Sequence, residues 1–251
     1  MFHRYILIIF LVFSLLGCKN TIQTTSIKAE KIPVNNTIEG DSEIEAFIKP
    51  YAEHLKLTLD SVIAYNPTNL SKKDGKLNTA LGNLMADLVM EQANPIFRSR
   101  TGNSIDIVLL NNGGIRSGIG KGPVSSRTGF ELMPFENEIV VVELSGNKIQ
   151  EMFNYLEDAK TAHPISGMQL SVDSNYKLTN ALIGGKELDL NRNYFVATSD
   201  YLQQGGDNMN FFKNPLNLFD IDYKLRNAVI DHFIKVDTLK TSIDNRFIQI
   251  P

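Results

Sequence analysis

Arg116 stands where a fixed positive charge could meet an anionic ligand. It closes the run Asn111-Asn112-Gly113-Gly114-Ile115-Arg116. Ahead of it lie Ile105, Ile107, Val108, Leu109 and Leu110, an apolar stretch bounded by turn residues that suits a strand buried on both faces. The mouth of such a strand is where α/β proteins commonly bind ligands, and a planar, always-charged guanidinium suits phosphate. Gly113 and Gly114 let the backbone take positive φ and pass close to a neighbour with no Cβ in the way. Met133-Pro134-Phe135-Glu136-Asn137 then sets an aromatic ring and an amide just before the next apolar strand, residues 139–144. A second polar, glycine-containing loop, DYLQQGGDN over residues 200–208, follows a strand over 194–199 and offers Tyr201 and Asp207. Taken singly, each residue has a structural alternative. Phe135 or Tyr201 could be a core aromatic, Asn111 a turn residue, Asp207 a turn or cap, and Arg116 a solvated charge.

The elements that must hold these loops are read from periodicity. Residues 43–65 place Ile44, Phe47, Ile48, Tyr51, Leu55, Leu59 and Val62 near helical spacing, with Pro50 expected to divide or kink the helix. Residues 77–94 form the next helix, turning at Leu81-Gly82-Asn83 and stopped by Pro95. A helix over 148–158 carries the stripe Ile149, Met152, Phe153, Leu156. Strands follow over 168–172 and in a hairpin about Gly184-Gly185, and a short strand over 247–250 closes the chain. The last helix, 222–236, takes Asp222 as N-cap. Alternating strands and helices give an α/β fold with a mixed sheet. The balance of 43% hydrophobic and 21% charged residues allows a sizeable core, and a net charge of -3 without a basic patch points away from nucleic acid.

The first residues differ in kind. Met1-Phe2-His3-Arg4 is a short basic segment, and residues 5–16 are almost wholly apolar. That span is too short to cross a membrane and suits a signal peptide. Leu15-Leu16-Gly17-Cys18 resembles a bacterial lipobox, which implies cleavage after residue 17 and lipidation of Cys18, the only cysteine. The resemblance implies a lipid-anchored protein of the cell envelope, facing the periplasm or the exterior. Residues 18–42 read as a flexible tether and 43–251 as the folded domain.

The sequences NNGGIR, PFEN and YLQQGGD, in that order and with LGN upstream, together resemble the C-terminal domain of the 5′-nucleotidase family, from about residue 77 onward. The resemblance implies mixed sheets with flanking helices, layered α/β/β/α. It also implies a pocket in which two aromatic rings sandwich a base, an aspartate holds the ribose hydroxyls, and arginine and asparagine reach the phosphate region. Asn111, Gly113, Gly114 and Arg116 fall on the first motif, Phe135 and Asn137 on the second, and Tyr201 and Asp207 on the third. The chemistry of each residue is consistent with this. Aromatic faces stack on bases, a carboxylate accepts two hydroxyls, and arginine grips phosphate bidentately. Tyr201 replaces the usual phenylalanine. A basic residue commonly precedes the family's LGN turn; Leu77 stands near that point, and Lys76 is the closest cation.

In two-domain members of this family an N-terminal metallophosphoesterase domain holds two metal ions and performs the hydrolysis. Its D-x-H and GNH motifs are absent from this sequence, whose four histidines, His3, His54, His163 and His232, are scattered. The expectation is therefore no metal or other cofactor in this chain, with the divalent pair held by a separate partner phosphoesterase. Two readings follow: the nucleotide- or nucleoside-binding half of a split 5′-nucleotidase, or a stand-alone binding lipoprotein with no hydrolase role. A third, weaker reading leaves a vestigial pocket on an envelope protein.

Overall fold

Residues 26–35 and 37–250 are described in a computed structural model; the signal-peptide segment and Cys18 lie outside them. The chain divides between Ile48 and Lys49 into two units, and the division falls within helix α1, Ser42–Asp60. In the second unit, β1 (Val62–Asn66) is followed by α2 (Ala80–Thr101), β2 (Ile107–Leu109), β3 (Gly122–Ser125) and α3 (Ser126–Leu132). Strand β4 (Glu138–Ser145) runs into α4 (Gly146–Ala159), then β5 (Ile165–Ser166), β6 (Met168–Val172), β7 (Leu178–Ile183) and β8 (Lys186–Glu187). Last come β9 (Asn193–Ser199), the single turn α5 (Asp200–Gln203), β10 (Asn217–Lys224), α6 (Leu225–Lys235) and β11 (Phe247–Gln249).

Five strands form a central mixed sheet in the order β10-β4-β9-β2-β5, and four form a second mixed sheet, β11-β6-β7-β8. Side chains alternate across a strand, and here both faces of the central sheet are buried. Val108, Leu110, Ile139, Val141 and Ala197 point into one core with Leu81, Met85 and Phe97 of α2 and Val229 and Phe233 of α6. Ile107, Leu109, Val142, Leu144, Tyr194 and Val196 point into the other, with Ile149, Phe153 and Leu156 of α4 and Leu170 and Val172 of the second sheet. The fold is thus α/β, with two mixed sheets stacked and helices flanking them.

Strand pairing decides where the loops meet. β2 lies parallel to β9, and β4 lies antiparallel to β9 with Ile139 opposite Ser199. The ends of β2 and β9 and the start of β4 therefore fall at one edge of the sheet. This brings the three motifs together.

Several sequence expectations need correction. Pro50 does not divide α1, which runs unbroken through it, and residues 62–66 are not its tail but the strand β1. Pro95 likewise does not stop α2; the helix continues to Thr101 and ends at Gly102 in the left-handed conformation. Val89, Ala93 and Phe97 carry its buried stripe past the proline, and that packing outweighs one lost backbone bond. Its N-terminus is Thr79, whose hydroxyl accepts the Gly82 N–H at 3.0 Å. Asp222 caps no helix, because it belongs to the edge strand β10, which pairs with β4. Among the described residues no helix is long and apolar enough to cross a membrane.

Candidate functional site

The loop after β2 begins at Leu110, whose N–H bonds the Pro164 carbonyl at 2.9 Å, and then coils into a 3-10 turn over Asn112–Gly114. Neither Gly113 nor Gly114 has a positive φ, so the expected left-handed turn does not occur. Close approach explains them instead. A Cβ on Gly114 would lie 2.7 Å from Asn111 Oδ1, and one on Gly113 would touch Asp207 Oδ2 at 3.4 Å. The Lys72 ammonium braces this turn from outside, bonding the Ile115 carbonyl at 2.8 Å and the Asn112 carbonyl at 3.3 Å.

Asn111, Gly113, Gly114, Arg116, Phe135, Asn137, Tyr201 and Asp207 line one cleft of about 300 Å³. Eight of the residues singled out from sequence are thus brought together. Lys76 is the exception: its ammonium bonds Gln249 Oε1 at 2.8 Å and lies 4.8 Å from the Tyr176 ring centre. It is not among the lining residues, because the chain between it and α2 carries it toward β11.

Asp207 is the most constrained member. Its φ is 52° and that of Asn208 is 62°, a left-handed conformation that aspartate and asparagine tolerate better than most residues. Asn111 Nδ2 donates to Asp207 Oδ2 at 2.7 Å, and the Tyr201 hydroxyl donates to Oδ1 at 2.9 Å. From α4, the Tyr155 hydroxyl donates to the Asp207 carbonyl at 2.9 Å. Three segments of the chain therefore aim one carboxylate into the cleft. The hydrogen bond from Tyr201, and behind it the negative charge of Asp207, raises the pKa of Tyr201.

Phe135 and Tyr201, both in the cleft lining, keep 41% and 46% of their surface exposed. The Arg116 guanidinium lies 5.6 Å from the Phe135 ring centre and makes one long bond, 3.4 Å, to the Gly113 carbonyl. Among the described residues no carboxylate pairs with it, so its charge is available to a ligand.

The loop bearing Phe135 and Asn137 is held by α6. Buried Arg226 donates to the Pro134 carbonyl at 3.2 Å, packs 4.3 Å from the Phe130 ring centre and pairs with Glu136. Lys224 pairs with the same carboxylate, and the two cations lower the Glu136 pKa to about 2. The Leu225 N–H bonds the Asn137 carbonyl at 2.9 Å.

His163 sits behind the first loop and accepts the Asn112 N–H on Nδ1 at 3.3 Å. Burial drives its pKa down to about 4, against the raising influence of Asp207. Sequence reading missed Lys72, Tyr155, His163 and Arg226 as supports, since each acts from a distant segment and no local motif marks it. Among the described residues no group of three or more His, Cys, Asp or Glu could hold a metal ion. A second groove, about 360 Å³, lies beside Arg246. That guanidinium is committed to Asp87, at 2.8 and 2.9 Å, and to Asp244, so it offers no comparable free charge.

The chain matches the family model described as 5′-nucleotidase, C-terminal domain, over residues 59–214. It is 28% identical over 190 residues to a 5′-nucleotidase of Vibrio vulnificus, covering 72% of this chain and 32% of that protein. It is 29% identical over 221 residues to the cell wall protein Lmo0130 of Listeria monocytogenes, covering 81% of this chain and 27% of that one. The chain thus spans a third or less of the length of these curated relatives. In structure it resembles a 5′-nucleotidase precursor from Thermus thermophilus with a TM-score of 0.69 at 21% identity, covering 82% of this chain and 43% of that one, a likeness of fold. The family match covers more than half of the sequence and takes in all three cleft-forming loops; this chain belongs to the 5′-nucleotidase C-terminal domain family.

Proposed function

We infer that this chain is the nucleotide- and nucleoside-binding half of a split 5′-nucleotidase. The observation that carries the reading is the content of one cleft: two exposed rings, a fixed carboxylate and an unpaired guanidinium. A base would lie between Phe135 and Tyr201, where stacking contributes about 1–3 kcal/mol per base. The ribose hydroxyls would bond Asp207. A phosphate would face Arg116, with the Asn111 and Asn137 amides within the same lining. The guanidinium favours a nucleotide over a neutral nucleoside, because only the nucleotide offers a charge-assisted contact.

Ester hydrolysis would fall to a separate metallophosphoesterase chain whose two divalent ions polarise the phosphate and activate water. The motive for placing that chemistry elsewhere is the missing D-x-H and GNH sequences. A phosphate-release assay on AMP tests the division of labour. The purified chain alone should release phosphate no faster than buffer, with or without added Mn²⁺. Adding a metallophosphoesterase chain that carries the D-x-H and GNH motifs should produce turnover that the partner alone lacks. Turnover by the recombinant chain alone would overturn the split reading, and AMP binding with no gain from a partner would leave a stand-alone binding lipoprotein.

The address belongs to the same reading. Cys18 closes a lipobox-like sequence, which favours a lipid anchor, and a relative is named a cell wall protein, which favours the envelope. Cys18→Ala should leave the membrane fraction or fail to mature. A variant that still partitions into detergent like the parent would sink the anchor.

A further inference from the structure

Stacking on a base needs a ring at position 201 and nothing more, and phenylalanine would supply it. The hydroxyl of Tyr201 therefore calls for a separate account. It donates to Asp207 Oδ1 at 2.9 Å, while Asn111 Nδ2 donates to Oδ2 at 2.7 Å. An ionised carboxylate has about four acceptor positions, two on each oxygen. The protein fills one on each oxygen and leaves one on each.

This arrangement also removes rotation. Turning the Asp207 carboxylate about its terminal bond would break both hydrogen bonds together. Its backbone is held by the Tyr155 hydroxyl at 2.9 Å. The Tyr201 ring has little room to follow, because it lies against Gly206. A Cβ there would stand 2.4 Å from Tyr201 Cε1 and 2.5 Å from Cζ. Gly206 thus keeps the ring flat against the backbone, with its hydroxyl on Asp207. The nearby carboxylate favours the protonated phenol, so the hydroxyl remains a donor at neutral pH.

We propose that the Tyr201 hydroxyl is a specificity determinant: with Asn111 it fixes Asp207 as a two-pronged acceptor for ligands with two vicinal cis hydroxyls, one on each carboxylate oxygen. This rests on the reading of the cleft as a nucleotide site. A diol must meet both oxygens at once, which requires the carboxylate in one orientation. A ligand with a single hydroxyl needs one oxygen, which a rotating carboxylate can present equally well. Loss of the Tyr201 hydroxyl therefore weakens diol ligands and spares those with one hydroxyl. Tyr201 acts here through Asp207, as a positioning residue, in addition to any stacking by its ring.

The test is calorimetric titration of adenosine, 2′-deoxyadenosine and 3′-deoxyadenosine into the mature chain and into Tyr201→Phe, with thermal unfolding of both proteins alongside. The wild type should prefer adenosine to each deoxy analogue. In Tyr201→Phe, adenosine affinity should fall about threefold to tenfold, the range of one hydrogen bond, while the deoxy analogues change little and the melting temperature holds. The preference for the diol then shrinks by the same factor. An unchanged preference would overturn the proposal, as would an equal loss for all three ligands or tighter adenosine binding once the competing hydroxyl is gone. A wild type that binds adenosine without preferring it would overturn the proposal and leave the cleft reading intact. No binding of any nucleoside or of AMP would remove both.

Discussion

His163 braces the first cleft loop through the backbone of Asn112. The ring is only 6% exposed, accepts the Asn112 N–H and lies 5.7 Å from the Tyr155 ring. It can accept that bond only while neutral. Its pKa in the fold is about 4 against an ordinary 6.5, chiefly because burial penalises the charged form, with Asp207 opposing. Since the folded value is depressed, the unfolded chain binds more protons between these limits. The contribution of this neutral histidine to stability is therefore whole above pH 6.5, declines as the pH falls, and is lost through pH 4, a change of about 3 kcal/mol. Urea unfolding of the wild type and of His163→Gln from pH 7 to pH 4 should show the gap between them closing by about that amount. Parallel pH curves would mean that His163 is not the titrating group. At this scale the sequence was informative about lining and silent about support. Asn111, Arg116, Phe135 and Asp207 sit in contiguous motifs. His163 and Tyr155 act on partners 51 and 52 residues away, with no motif linking them.

Helix α2 shows where packing overrides local propensity. A proline inside a helix costs about 3 kcal/mol or more, and Pro95 lies six residues before the helix ends at Thr101. Phe97, fully buried, restores the balance through a tilted contact with Phe195 at 5.1 Å and an edge contact with Phe219 at 5.3 Å. Phe97→Ala should cost about 3–5 kcal/mol in chemical denaturation, with nucleotide affinity of the folded fraction unchanged. That ring faces the core between α2 and the central sheet, and it is not among the cleft residues. A loss under about 1 kcal/mol would show that the helix past Pro95 is not held by this packing. Sequence periodicity could identify α2 and α4, because their buried stripes are long and regular. It could not reveal β10, an edge strand whose Asp220 and Asp222 face solvent and read as turn residues. Nor could it separate β1 from the helix before it, since Val62 fits either pattern.

Across the whole folded unit, the site follows from topology. Parallel β2 and β9 end side by side, and antiparallel β4 starts beside the end of β9 on its other side, so three motifs far apart in sequence share one cleft. The α/β class was readable from alternating elements, and the layered arrangement came from the resemblance of the motifs. The strand order that unites the loops depends on long-range pairing, which no window of sequence records. The central claim is that this cleft binds nucleotides through Arg116. Calorimetric titration of AMP and adenosine into wild type and Arg116→Ala tests it most directly. AMP should bind the wild type more tightly than adenosine, and the variant should lose about ten- to hundredfold for AMP with adenosine nearly unchanged. Equal losses for both ligands, or no binding of either at millimolar concentration, would contradict the account.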